Sequence, residues 1–186
     1  RRVLFRSMHA HRARGFGLIE VMVTVSIFAL LLAVALPGAV DMVRNTQIRT
    51  LAESVSNGVQ KARAEALKRN RNVTFWLVTP AVGTPGASCA LSSGSASWVV
   101  SLDNPATKCD VAPSDTTAPR TIETFGNGYG NITVAALGAD GTTATSSVTF
   151  NGFGQPVATG TPIARINLTH VESGVRNLRV EISSSG

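Results

Sequence analysis

At 186 residues and 44% hydrophobic side chains, the chain is long enough for one cored domain with an appendage and too apolar to be disordered overall. A formal net charge of +6 points first to nucleic acid, but five of the 17 Lys and Arg (Arg1, Arg2, Arg6, Arg12, Arg14) precede Phe16, a stretch without acids. Past Gly15, twelve basic residues face eleven acidic ones, so total charge carries no argument for a polyanionic partner.

The expected native start is Met8, with residues 1–7 lying upstream of it, and the stretch 1–15 reads as a basic leader ending in Gly15. In a Sec-type signal the apolar region precedes the cleavage site. Here the basic block meets Gly15 first and the apolar run follows, so a cut at Gly15 keeps that run in the mature chain. Residues 16–40 form a membrane-length apolar helix: 25 residues at about 1.5 Å each span roughly 37 Å, against a hydrocarbon core of about 30 Å. One carboxylate, Glu20, lies near its start. An ionisable group in such a segment costs roughly a few kcal/mol, which marks it as a residue awaiting a cationic partner.

Helical periodicity continues through 41–72 in amphipathic form. Ile48, Leu51, Ala52, Val55, Val59, Ala62 and Ala66 recur at three- and four-residue steps, with Arg49, Glu53, Gln60, Lys61, Arg63 and Lys68 between them. A single helix from Phe16 to about Asn70 would be roughly 80 Å long, with a kink or local melting expected at Pro37-Gly38. The seven basic residues against three acids in 41–72 read as a solvated helix face.

Residues 73–186 read as a β-rich head. Short runs rich in Val, Ile, Thr and aromatics lie at 72–78, 98–102, 121–125, 132–136, 147–150, 164–169 and 177–182, separated by Gly, Pro, Ser and Asn clusters. They predict one antiparallel sheet whose apolar face packs on the Ile48 to Ala66 stripe. The loops at 80–97 and 104–119 contain the only cysteines, Cys89 and Cys109. If the head lies outside the cytoplasm they read as a disulfide. With no histidine cluster nearby they cannot form a zinc site.

The residues Gly15-Phe16-Gly17-Leu18-Ile19-Glu20, with the basic leader before them and Pro37 as the twenty-second residue after the cut, resemble class III signal-peptide proteins: type IV pilins, minor pilins and type II secretion pseudopilins. Gly17 departs from the commoner Thr. Two further stretches, Gln60 to Asn70 running into Val73-Thr-Phe, and Phe150-Asn-Gly-Phe-Gly-Gln-Pro, resemble FimT/FimU minor pilins and the closely similar H-type pseudopilins of type II secretion. The resemblance implies an α+β fold, a long N-terminal helix with a transmembrane first half, packed on a mostly antiparallel β-sheet head. It implies cleavage between Gly15 and Phe16 by a prepilin peptidase and methylation of the Phe16 amine. Glu20 and Pro37 are then assembly residues, and the freed amine of a neighbouring subunit supplies the charge that Glu20 lacks. The implied partners are other pilins through the helix, the peptidase and the bacterial inner membrane, with the head in the periplasm before incorporation into a pilus or pseudopilus.

FimT-type pilins are also linked to DNA uptake through a C-terminal Gly-Arg-x-Arg pattern, which the residues up to Gly186 do not contain. Arg176 and Arg179 are the candidate DNA contacts, opposed by Glu172 and Glu181; exposed strand-end arginines are the plainer reading. No cofactor and no catalytic group is expected. Gly126-Asn-Gly-Tyr-Gly lacks the βαβ context of a dinucleotide site and reads as a turn. His170 is the only histidine after the leader and reads as a strand-end surface residue. Asn72, Asn131 and Asn167 start glycosylation-type triplets to which no role is assigned.

Overall fold

The computed structural model describes residues 17–158 and 160–183, with the side chains of 35–37 left out. The chain divides into an N-terminal unit ending at Val40 and a body starting at Asp41. One helix, α1 (Leu18–Arg69), precedes seven strands: β1 (Val73–Leu77), β2 (Trp98–Ser101), β3 (Thr121–Phe125), β4 (Ile132–Leu137), β5 (Ser147–Phe150), β6 (Arg165–His170) and β7 (Leu178–Glu181). Each predicted strand is present within a residue or so at either end. The helix is unbroken through Pro37-Gly38, so the melting expected there is not found.

At its end α1 is closed by Asn70, whose φ of 48° lies in the left-handed region that Asn tolerates. The Arg71 amide donates back to the Ala66 carbonyl (3.3 Å) and the Asn70 amide to Leu67 (3.3 Å), satisfying carbonyls the helix would otherwise leave open. Lys68 and Arg69 in the last turn place positive charge at the negative end of the helix dipole.

The strands do not form the single sheet that their sequence suggested. They make a four-stranded sheet in the order β3-β2-β1-β5 and a three-stranded sheet in the order β4-β6-β7, antiparallel throughout. Alternation alone fixes which face of a strand is buried, not which strands share hydrogen bonds, so this division was not written in the local pattern.

Within the body, the stripe Ile48, Leu51, Val55, Val59, Ala62 and Ala66 is buried and joins one core with residues of both sheets. Val73, Phe75 and Leu77 of β1, Trp98 and Val100 of β2, Val134 and Ala136 of β4, and Ile166 and Leu168 of β6 complete it. Ala52, expected in the stripe, is only partly buried. Gly58 sits in the same helical text because a Cβ there would come 2.7 Å from Phe75 and 2.8 Å from Trp98. The helix approaches the sheet so closely at this point that even one methyl group has no room.

The first sheet is buried on its second face too. Trp76, Val78 and Val99 meet Leu91, Cys89 and Cys109, and the two cysteines are bonded across 20 residues with Cα atoms 6.1 Å apart. The loops therefore act as a lid over the sheet, and the disulfide holds them there. Closing a loop of that size contributes about 3 kcal/mol in the chain-entropy picture. Ion pairs add positional control: Arg69 reaches both Glu65 (2.7 Å) and Asp115, and Arg120 grips Asp103 (2.7 Å).

His170 ends β6, as its position suggested, but it is buried, with 5% of its surface exposed. It follows Ile166 and Leu168 on the inward side of the strand, so the period of two carries it into the core. Its Nδ1 accepts from the Glu172 amide at 3.0 Å.

Candidate assembly site

In the N-terminal unit, the helix exposes apolar side chains on every side. Leu18 and Ile19 are each 76% exposed, and Met22, Val25, Phe28, Leu31 and Val34 all exceed half. A helix that is apolar all round has no face for water and needs an apolar surround. This is the one helix among the described residues with the length and apolarity to cross a membrane. Its polar side chains fit that setting: the Thr24 hydroxyl donates to the Val21 carbonyl (2.9 Å) and the Ser26 hydroxyl to Met22 (2.8 Å), so neither needs water.

Glu20 differs from them. It lies in the first turn and its amide donates to the Gly17 carbonyl at 3.0 Å, but among the described residues its carboxylate has no hydrogen-bond or ion-pair partner. Thr24 and Ser26 can turn back onto their own helix, and a carboxylate, being acceptor-only, cannot satisfy itself on helix carbonyls. What Glu20 needs is a donor, preferably cationic, from elsewhere. Gly15 and Phe16 lie outside the described residues. Pro37 lies within α1, and its side chain is not described.

The two stretches of the body that carried the finer resemblance meet in space. The turn after β5 is closed by Asn151: its side-chain oxygen accepts from the Phe153 and Gln155 amides (3.0 Å each), and its own amide donates to the Gln155 carbonyl (3.0 Å). Gly154, at φ +73°, lets the turn lie on α1, where a Cβ would stand 3.2 Å from Leu67 and from Arg63 Nε. The motif is thus a clamp on the end of the helix. Sequence reasoning singled out both stretches but missed their contact, as it missed Gly58; a glycine inside an otherwise good helix is the signal that could have flagged it.

Arg176 and Arg179 come to neighbouring places at β7. The Arg176 amide donates to Asn45 Oδ1 (3.3 Å), fixing the start of β7 beside α1, and its side chain is exposed. Arg179 is also exposed, but its Nε donates to Asn167 Oδ1 (2.8 Å) and its guanidinium lies 3.4 Å from Glu181. The two arginines therefore differ: one guanidinium is engaged locally and the other is not among the described ion pairs. Among the described residues, no group of three or more His, Cys, Asp or Glu is placed to hold a metal.

A family model for the type II transport protein GspH matches residues 51–186, which covers the end of α1 and the whole β-rich body. A model of the prokaryotic N-terminal methylation motif matches residues 10–36, including Glu20. No curated protein and no solved structure matches the chain. The two matches divide the molecule as its physics does, the methylation motif on the apolar segment and the family on the cored body, and on that ground the chain belongs to the family of the type II transport protein GspH and is a pilin-like protein.

Proposed function

We propose that this chain is a prepilin-type subunit, cut between Gly15 and Phe16, methylated on the Phe16 amine and built into a filament through its apolar helix. The observation that carries this reading is the methylation-motif match over a segment whose only carboxylate, Glu20, has no partner among the described residues. In the filament the Phe16 amine of a neighbour faces Glu20. A pair buried in this way sets register and specificity more than it adds stability. Pro37, inside the same helix, belongs to the assembly segment.

Before assembly the subunit is held in the bacterial inner membrane by one span, with the head in the periplasm. The Cys89–Cys109 disulfide supports that side, since disulfides persist in oxidising compartments. Between the two machines, the match of the body to the type II transport protein favours an H-type pseudopilin of type II secretion. The minor-pilin reading of the FimT/FimU type, acting in assembly or at a pilus tip, rests on the Gln60 to Asn70 and Phe150 to Pro156 stretches and is the second reading.

Mass spectrometry of the chain recovered from cells with and without a prepilin peptidase tests the proposal. A mature chain starting at Phe16 and one methyl heavier is expected only with the peptidase. A chain that begins elsewhere in both strains would remove the reading.

A further inference from the structure

The loop between β6 and β7, residues 171–177, keeps one valine in and one out. Val175 packs against the core, whereas Val171 is 70% exposed. The backbone that carries Val171 is fixed: its amide donates to the Asn131 carbonyl (2.9 Å), the Glu172 amide to His170 Nδ1 (3.0 Å) and the Arg176 amide to Asn45 Oδ1 (3.3 Å). The last of these bonds ties the loop to the first turns of α1 in the body. Arg49, four residues on from Asn45, shares its side of the helix. The side chains of Arg49 and Arg176 are exposed and neither has an ion-pair partner among the described residues, whereas Arg44 is paired with Asp41 at 3.6 Å. Against these two free cations the loop sets one exposed carboxylate, Glu172.

What lies against the loop follows from where Asn45 falls in the chain. The apolar segment gives way to Asp41 after Val40, and Asn45 comes five residues after Val40, about 7.5 Å of helix. The headgroup layer of a bilayer is roughly 5–7 Å deep on each side of the hydrocarbon. A loop bonded to Asn45 is therefore tethered at about headgroup depth whenever the apolar segment spans a bilayer. Met42 and Val43, just past Asp41, are also more than half exposed, so apolar side chains continue beyond the charged border. Apolar side chains with arginines beside them suit this layer. The first enter the boundary between headgroups and acyl chains, and the second reach phosphate oxygens while their stems stay in the apolar part.

We propose that the β6–β7 loop is a lipid-contact site, in which Val171 enters the interfacial layer and Arg49 and Arg176 meet the phosphates of anionic headgroups beside the point where α1 leaves the bilayer. The proposal rests on the single-span reading above and adds to it a second contact with the same membrane, made by the body. It belongs to the subunit before assembly, since a subunit drawn out of the bilayer leaves the headgroups behind.

The experiment uses the full-length chain in vesicles of phosphatidylcholine alone or of equal parts phosphatidylcholine and phosphatidylglycerol. Cys89 and Cys109 are bonded to each other, so Ser173→Cys places a single fluorophore in the loop without removing Val171 or either arginine. Gln155→Cys is the control, in the turn against Leu67, which is roughly 33 Å further along α1 than Asn45. Lipid carrying a spin label on its headgroup should quench the label at 173 several-fold more than the label at 155, and more in the mixed vesicles than in phosphatidylcholine, with the difference lost at high salt. Arg49→Gln with Arg176→Gln should remove the dependence on phosphatidylglycerol, and lysine at both positions should keep it; the Arg176 bond to Asn45 is made by its backbone and survives either change. Equal quenching at 173 and 155, in vesicles that retain the chain through alkaline extraction, would overturn the contact and leave the span standing. Loss of the chain on alkaline extraction would overturn both. Quenching at 173 that is the same in the two lipids would overturn the anionic partner. A label at 173 shielded from a water-soluble quencher but not reached by the lipid one would mean protein against the loop, and would overturn the lipid occupant.

Discussion

Leu18 to Val40 and Asp41 to Arg69 lie on one helix and are both rich in apolar side chains, but they use them in opposite ways. The first exposes them all round, so no part of this chain's own core claims them. The second buries a single stripe, Ile48, Leu51, Val55, Val59, Ala62 and Ala66, in the body's core and leaves Met42, Val43 and Leu67 exposed towards its ends. Apolar content does not distinguish a segment built for other molecules from one built for its own fold; the period does. Stability and assembly should therefore be separable by mutation along a single helix.

The sharpest way to break the comparison is a matched pair of truncations. Leu51→Ala removes a fully buried side chain from the core and is expected to cost about 2–5 kcal/mol in denaturant unfolding of the body. Leu31→Ala, 61% exposed in the N-terminal unit, should leave that transition where it was and reduce membrane retention or filament yield instead. Equal losses of body stability from the two would erase the distinction.

Next in size is the disulfide. Replacing both cysteines by serine should lower the stability of the body by about 3 kcal/mol, seen as a shift in the unfolding midpoint that reducing agent reproduces in the wild type. Gly58→Ala comes third. Its methyl would meet Phe75 and Trp98, and overpacking of this kind costs about 1–3 kcal/mol where an exposed helix glycine would gain stability from the same change.

The smallest effect is electrostatic. Arg69 holds the Glu65 and Asp115 carboxyls below their ordinary values, chiefly by hydrogen bonding, and Arg120 does the same for Asp103. A carboxyl whose folded pKa is lowered contributes stability above its unfolded value and loses it as the pH falls through the folded one. Acidification below about pH 4 should therefore destabilise wild type more than Arg69→Gln, and the two should differ most at neutral pH. A constant difference across the titration would remove Arg69 from the account.

Much of this was legible in the sequence for reasons that can be named. The stripe from Ile48 to Ala66 and the strands from Val73 onward follow periods that burial imposes directly, and the pairing of Cys89 with Cys109 left only one alternative, two free thiols. Glu20 was legible as a residue that needs a partner because a carboxylate is costly in an apolar run whatever surrounds it. Three features were not. The split into two sheets depends on which edges meet, and edges carry no periodic mark. The burial of His170 depends on strand phase, one residue past Thr169 on the opposite side. The clamp of Asn151 and Gly154 on Leu67 joins residues far apart in the chain, and only the close approach explains why glycines stand there.

The central claim, that one segment of the helix serves assembly and the other serves the fold, is tested most directly by Glu20→Gln in the full chain. Filament incorporation and body unfolding are measured on the same variant. The account predicts that the amide abolishes or sharply reduces incorporation, with cleavage at Gly15 intact and the unfolding transition unchanged. Normal incorporation of a correctly processed Glu20→Gln chain would contradict it.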